Sequence, residues 1–400
     1  MKKERYQLVI LLIACIAIFS PNYAQYQLSP LAPQLISDFG LTSGEFAGIF
    51  SAPMIPAIFL SLVAGILVDK FGARRVLGVS LFISAAGIGL RLTANSYFAL
   101  FSCMVLAGFS ALFLNASGPK ILGGWFPASS LGAAMGAFLA ASTLGMALGM
   151  GATAMLPSVP SAYLISFGVS LLAFILWVVL MKSPPQPPEA GEQPQSPPIG
   201  QCLKVVLKNR TVWVVGLSLM FAMGGNVTLS SFLPSALGQR GFDSVAAGAI
   251  SSSVMLGSLT GCLLSPVLAS KLGTPRLFLF ILGLIAGIST AYAWLAPQGV
   301  LLWSALFITG IAMGGLMPLL ISLPIQLPEI GPLYAGTAGG LTGTLQLLGA
   351  VIIPSWIIVP LARDSMSELF LWGGICVLAA GFLAFLLPDL KKKKLLNNNN

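Results

Sequence analysis

With 56% hydrophobic residues, 8% charged residues and a mean hydropathy of +0.93 over 400 residues, the chain is excluded from the ordinary soluble domains, in which about a quarter of residues are charged. It has no histidine, which removes the commonest general base and metal ligand. It also lacks a Gly-x-x-x-x-Gly-Lys-Ser/Thr phosphate loop, and its five cysteines are scattered without metal-ligand spacing, so no metal, no cofactor, no ATP drive and no enzyme chemistry are expected.

Apolar stretches of about twenty residues, enough to cross a ~30 Å hydrocarbon core as helix, recur from end to end. They are continuous rather than alternating, so helices rather than barrel strands are predicted. A basic start, Met1 to Arg5, leads into span one, Tyr6 to about Gln27, which is too long for a cleaved signal peptide and lacks an Ala-x-Ala site. Spans two to six follow at about 44–68, 76–93, 97–121, 131–156 and 161–181. The segment from Ser183 to Gly200 is too rich in proline for helix and is expected to be extended and hydrated. Six more spans lie near 211–236, 244–269, 277–296, 299–325, 333–359 and 367–388. The expected fold is all-α, with twelve transmembrane helices in two pseudo-symmetric six-helix bundles: residues 1–182, a linker at 183–210, residues 211–390, and a basic tail at 391–400.

The loops orient the chain. With both termini on one side, seventeen of the twenty Lys and Arg residues fall on that face, leaving Arg91, Arg240 and Arg363 on the other. Cationic loops mark the cytoplasmic side, so a multi-pass protein of a bacterial inner membrane is expected, with cytoplasmic N- and C-termini. The same asymmetry accounts for the net charge of +9 without a nucleic-acid partner.

Between spans two and three stands Gly65-Ile-Leu-Val-Asp69-Lys70-Phe-Gly72-Ala-Arg74-Arg75, a charged turn in a chain that almost avoids charge. A partial copy, Lys271, Gly273 and Arg276, follows span eight, with Ser270 where Asp69 stands. Asn22 and Pro30 recur at a constant offset as Asn226 and Pro234, and Gly108 matches Gly310. Internal repeats of this kind mark carriers whose site lies near the midplane. The charged turn resembles the loop 2–3 signature of the major facilitator superfamily, and the resemblance extends over residues 5–390. It implies an alternating-access carrier, working as a monomer, with spans one, four, seven and ten lining a cavity. Gly65 and Gly72 would allow close packing and a sharp turn, and Asp69 would latch helix ends and the arginine pair. The alternative is that Lys70, Arg74 and Arg75 only anchor topology at the lipid headgroups. Gly87 to Arg91, Gly224 to Asn226 and Gly310 to Pro318 are further similar to the cyanate permease branch, whose members carry small anions or small polar molecules.

Candidate substrate contacts are polar side chains inside spans. Asn22, Gln25, Tyr26 and Ser29 share one helix face, with Tyr23 and Gln27 beside it. Asn226 and Ser230 form the shorter counterpart in span seven; Asn115 and Gln346 add amides in spans four and eleven. Each could instead join helix to helix. Arg91 lies in the outer third of span three, where an ionisable group is costly and points to function; it either contacts an anion or ties span three to a neighbour. Asn115-Ala-Ser117 and Asn226-Val-Thr228 match a glycosylation pattern but fall within spans. Gly145, Gly149 and Gly151 are faintly similar to an exporter motif, though close packing explains them equally.

No Asp or Glu falls at a predicted midplane position, so uniport or exchange is expected rather than proton coupling. The expected function is transport of a small-molecule substrate, a small polar and anionic solute, across the lipid bilayer. The alternatives are a carrier or exporter of organic cations or apolar drugs, using Tyr23 and Tyr26 as π faces, and a non-transporting sensor or scaffold.

Overall fold

The computed structural model describes residues 2–182, 199–272, 275–327, 329–363 and 365–387. In chain order its helices are α1 (Lys2–Tyr26), α2 (Leu28–Phe39), α3 (Ser43–Ser51), α4 (Ile55–Phe71), α5 (Ala73–Leu90), α6 (Tyr97–Trp125), α7 (Ala128–Gly151) and α8 (Val159–Leu180). Then come α9 (Ile199–Lys208), α10 (Arg210–Gln239), α11 (Ser244–Leu272), α12 (Pro275–Ala293), α13 (Val300–Gln326), α14 (Gly331–Ile352), α15 (Val359–Ala362) and α16 (Met366–Phe385). No strand occurs among the described residues. Twelve stretches are long and apolar enough to cross a membrane, from Tyr6–Tyr26 to Met366–Phe385, and each overlaps one predicted span.

Two prolines mark breaks inside spans, whereas Pro21, Pro234, Pro318 and Pro324 lie within continuous helices. Pro53 sits in a 3₁₀ turn, Ala52–Met54, that divides span two into α3 and α4. Pro354 opens a π-helical stretch, Ile353–Ile358, inside span eleven, because proline lacks the N–H that would continue the α ladder. Thr42 caps α3: its hydroxyl accepts from the Glu45 N–H at 3.2 Å, and the Glu45 carboxylate accepts from the Thr42 N–H at 2.8 Å. Glu45 is thus held at a helix end, where a carboxylate complements the dipole.

The linker expectation needs correcting at its end. Residues 199–208 form helix α9, with Val206 fully buried against Val212, Leu327, Ile330 and Ala338. The proline-rich part, 183–198, lies outside the described residues, as does the basic tail.

Two compact units emerge: Met1–Gly191 with Ser231–Ser252, and Glu192–Ser230 with Ser253–Asn400. In the first, Ser29 donates to the Ser231 carbonyl at 3.0 Å and Phe232 meets Phe46 edge-on at 5.8 Å between ring centroids. The boundary therefore falls inside α10 and α11 as well as in the linker. Gly145 and Gly149 let α7 lie on α1, where an added Cβ would come 2.6 Å from the Phe19 carbonyl oxygen and 2.8 Å from that of Tyr23. Close packing therefore accounts for these glycines without an export motif. The internal repeat is visible in the packing too. A Cβ on Gly108 would strike the Pro53 carbonyl in span two, and one on Gly310 would strike the Val254 carbonyl in span eight.

Candidate functional site

The polar face of span one is largely occupied within its own unit. Asn22 donates to the Ile18 carbonyl one turn back at 2.7 Å, and Gln25 donates to the Phe50 carbonyl at 2.9 Å. Gln27 is fully buried and donates to the Ala162 carbonyl at 2.8 Å. Tyr23 stacks on Phe19 at 5.6 Å and Tyr26 meets Phe50 edge-on at 5.3 Å. Both tyrosines are buried. In hydrocarbon such amide groups need partners; α1 itself supplies that of Asn22, and neighbouring helices supply those of Gln25 and Gln27.

Arg91 is the most fully engaged of the expected residues. It ends α5 in a 3₁₀ turn and is 1% exposed. Nε donates to the Ile88 carbonyl at 3.2 Å, Nη1 to the Ala24 carbonyl at 3.1 Å, and Nη2 to the Ser166 hydroxyl at 2.5 Å. The guanidinium lies over the Tyr163 ring, 4.4 Å from its centroid, and Nη1 also approaches Met104 Sδ at 3.9 Å. One planar cation thus joins α1, α5, α6 and α8, using the fixed fork that distinguishes arginine from lysine. Its partners Tyr163 and Ser166, one turn apart on α8, carried no signal in the sequence beyond an ordinary polar pair.

The second unit is different. Asn226 Nδ2 on α10 has Met313 Sδ of α13 at 3.3 Å as its partner. Gln346 Nε2 on α14 faces Met223 Sδ at 3.9 Å and Met317 Sδ at 3.8 Å. Moving from 223 to 226 on α10 matches moving from 317 back to 313 on α13. The two helices therefore run antiparallel here, and the contacts form two rungs about one turn (~5.4 Å) apart. Both amides are only partly buried, whereas Ser230, one turn further along α10, is 1% exposed. A thioether is a weak acceptor, so these amide N–H groups keep most of their donating capacity. The methionines were not singled out in the sequence, although 313 and 317 stand at helical spacing. Asn115, on α6 of the first unit, is exposed.

No described carboxylate is buried: Asp38, Asp243, Glu329 and Glu368 are exposed and Glu45 is half-exposed. No cluster of metal-ligating residues occurs among the described residues.

At the charged turn, Gly72 has φ +83° and closes α4 through its N–H to the Val68 carbonyl at 3.0 Å. Glycine adopts this conformation without strain. Arg74 donates to the Val178 carbonyl at 3.1 Å in the last turn of α8, where a cation complements the dipole. Lys70 and Arg75 are exposed. The side chain of Asp69 and the surroundings of Gly65 lie outside what is described, as do the side chains of Lys271 and Ser270 and the whole of Gly273 in the partial copy, so the latch is an expectation.

Twelve apolar spans and a repeated glycine contact in each half define a multi-pass membrane protein of the two-fold repeated type. Residues 10–354 match the family model of the Major Facilitator Superfamily, and the chain belongs to that family. It is therefore a membrane transporter by family rather than an enzyme. It is 24% identical over 430 aligned residues to a probable nitrate/nitrite antiporter NarK1 of Thermus thermophilus, covering 98% of this chain and 94% of the relative. It is 23% identical to the cyanate transport protein CynX of Escherichia coli K12, covering 92% of this chain and 95% of that one. Among solved structures, the nucleoside transporter NupG superposes with a TM-score of 0.77 over 94% of this chain and 98% of that one, at 15% identity, which attests the fold.

Proposed function

We propose that this protein is a secondary carrier of a small monovalent anion, of the nitrate, nitrite or cyanate kind named for its relatives. It acts as a monomer in a bacterial inner membrane, with both termini cytoplasmic. Alternating access by uniport or exchange is the mode, since no described carboxylate sits where a proton relay would need one. The observation that carries this reading is the pair of amides, Asn226 and Gln346, whose N–H donors meet methionine sulfurs among the described residues. Donors held back from strong acceptors suit a solute that brings negative charge, and hydrogen bonds to a charged group are worth about 1.5–3 kcal/mol each. Neutral amides favour weakly hydrated anions, because a strongly hydrated one would lose more to desolvation than they return.

Arg91 belongs in this reading as a positioning residue that ties four helices, since its guanidinium is buried and every nitrogen has a partner. Tyr23 and Tyr26 have their rings covered, so no observation favours the cation carrier.

Purified protein tests this directly. Nitrate, nitrite or cyanate should raise its thermal midpoint, by an amount equivalent to about 2.7 kcal/mol at a hundredfold excess over Kd, and should drive counterflow in proteoliposomes. Stabilisation by quaternary ammonium ions with silent anions overturns the proposal. Counterflow that requires an imposed pH gradient overturns the uniport or exchange mode.

A further inference from the structure

A groove of about 600 Å³ lies between α5 and α8, lined by Arg74, Arg75, Val79, Phe82, Phe174 and Val178, with Gly78 and Trp177 completing it. It is charged at one end and apolar along the rest. Arg74 and Arg75 occupy the first turn of α5 and both are exposed. Phe82 lies two turns further into the span, ~12 Å along the axis, and its ring meets Phe174 at 5.5 Å between centroids. Val79, Phe82 and Val178 are 60%, 57% and 47% exposed. Trp177 is fully buried behind them, with its indole N–H donating to the Arg74 carbonyl at 3.1 Å, which ties the two helices at the groove's head. The Arg74 side chain returns the contact to the Val178 carbonyl at 3.1 Å, so the guanidinium stands at the mouth.

We propose that this groove is a binding site for an anionic phospholipid, distinct from the transport site. The headgroup phosphate pairs with Arg74 and Arg75, and an acyl chain lies along Val79, Phe82, Phe174 and Val178. Guanidinium forks match phosphate geometry, and basic pockets between transmembrane helices at the cytoplasmic surface select anionic headgroups. A free phosphate or small soluble anion would use the arginines but leave the long apolar wall uncovered. The wall faces outward from two spans, where acyl chains lie, and the arginines turn ordinary lipid contact into a preference. This inference is independent of the transported solute.

The test uses the full-length protein, purified and exchanged into nanodiscs of phosphatidylcholine doped with phosphatidylglycerol, with retained lipid counted by native mass spectrometry. Phosphatidylglycerol should be retained in preference to phosphatidylcholine. Arg75→Gln, at a side chain with no hydrogen bond to a described residue, should cut that preference about fivefold, and Arg74→Gln with Arg75→Gln about 25-fold. The thermal midpoint of Arg75→Gln in phosphatidylcholine alone should match the wild type. Val79→Trp, which fills the apolar wall without changing charge, should also lower retention. Equal retention of the two lipids by the wild type overturns the proposal, as does an unchanged preference in the double variant. Soluble glycerol phosphate that displaces phosphatidylglycerol at equal concentration would show a bare anion site and likewise overturns it.

Discussion

Asn22 and Asn226 stand at equivalent positions of two repeated halves, yet their amides do opposite things. Asn22 bonds back to its own helix at Ile18, in a unit where Gln25, Gln27 and Arg91 also find carbonyl or hydroxyl acceptors. Asn226 points at a methionine sulfur, and Gln346 does the same in the same unit. The difference lies in the acceptors these amides meet: carbonyl oxygens for Asn22, Gln25 and Gln27, and thioether sulfurs for Asn226 and Gln346. The same residue recurs at matching positions, and its surroundings give it different acceptors.

The largest effect that would break this contrast is expected at Arg91. Arg91→Ala strands the Ala24 carbonyl and the Ser166 hydroxyl and removes the ring contact with Tyr163. It should cost about 3 kcal/mol or more, since each buried group left unpaired costs about 1–3 kcal/mol. Thermal denaturation in detergent measures this, and Arg91→Lys should rescue little because it lacks the fork. If Arg91→Ala keeps its midpoint but loses anion binding, the contrast is reversed and Arg91 is the contact.

Next in size, Gly108→Ala and Gly310→Ala should destabilise by similar amounts, about 1–3 kcal/mol or more, because each Cβ meets backbone that cannot rotate away. Unequal losses would mean that the two halves do not share this contact energetically. Asn226→Leu and Gln346→Leu should each weaken anion binding by about 10- to 100-fold, the loss of one hydrogen bond to a charge. Their thermal midpoints in the absence of solute should stay close to wild type, because only weak sulfur contacts are removed. The smallest effect belongs to Asn22→Ala: about 1 kcal/mol of stability and a change in affinity under threefold. A large affinity loss there would return span one to the binding site.

Much of the architecture was legible because its causes are local. Apolar length and the cost of burying unpaired backbone placed all twelve spans, and each appears as helix within a few residues of its predicted bounds. The proline-broken regularity at Pro53 and Pro354 was not read, since a proline inside a span either kinks it or is absorbed by neighbours, and only packing decides which. Helix α9 was missed because the linker expectation ran past the last proline, Pro198, to residue 210, across residues that bury Val206. The candidate site was legible as a set of polar residues but not as a partition. Asn22, Gln25, Asn226 and Gln346 look alike as amides in apolar helices, and what separates them is the acceptor each one meets.

The sequence by itself therefore determined the membrane class, the spans, the repeat and the family, because hydropathy, charge placement and a turn needing glycine at Gly72 act along the chain. Tertiary structure alone decided that Arg91 is enclosed by α1, α6 and α8 and that Met223, Met313 and Met317 stand before two amides. The physical reason is that a buried donor's energy depends on its acceptor, and these acceptors lie on helices distant in the chain.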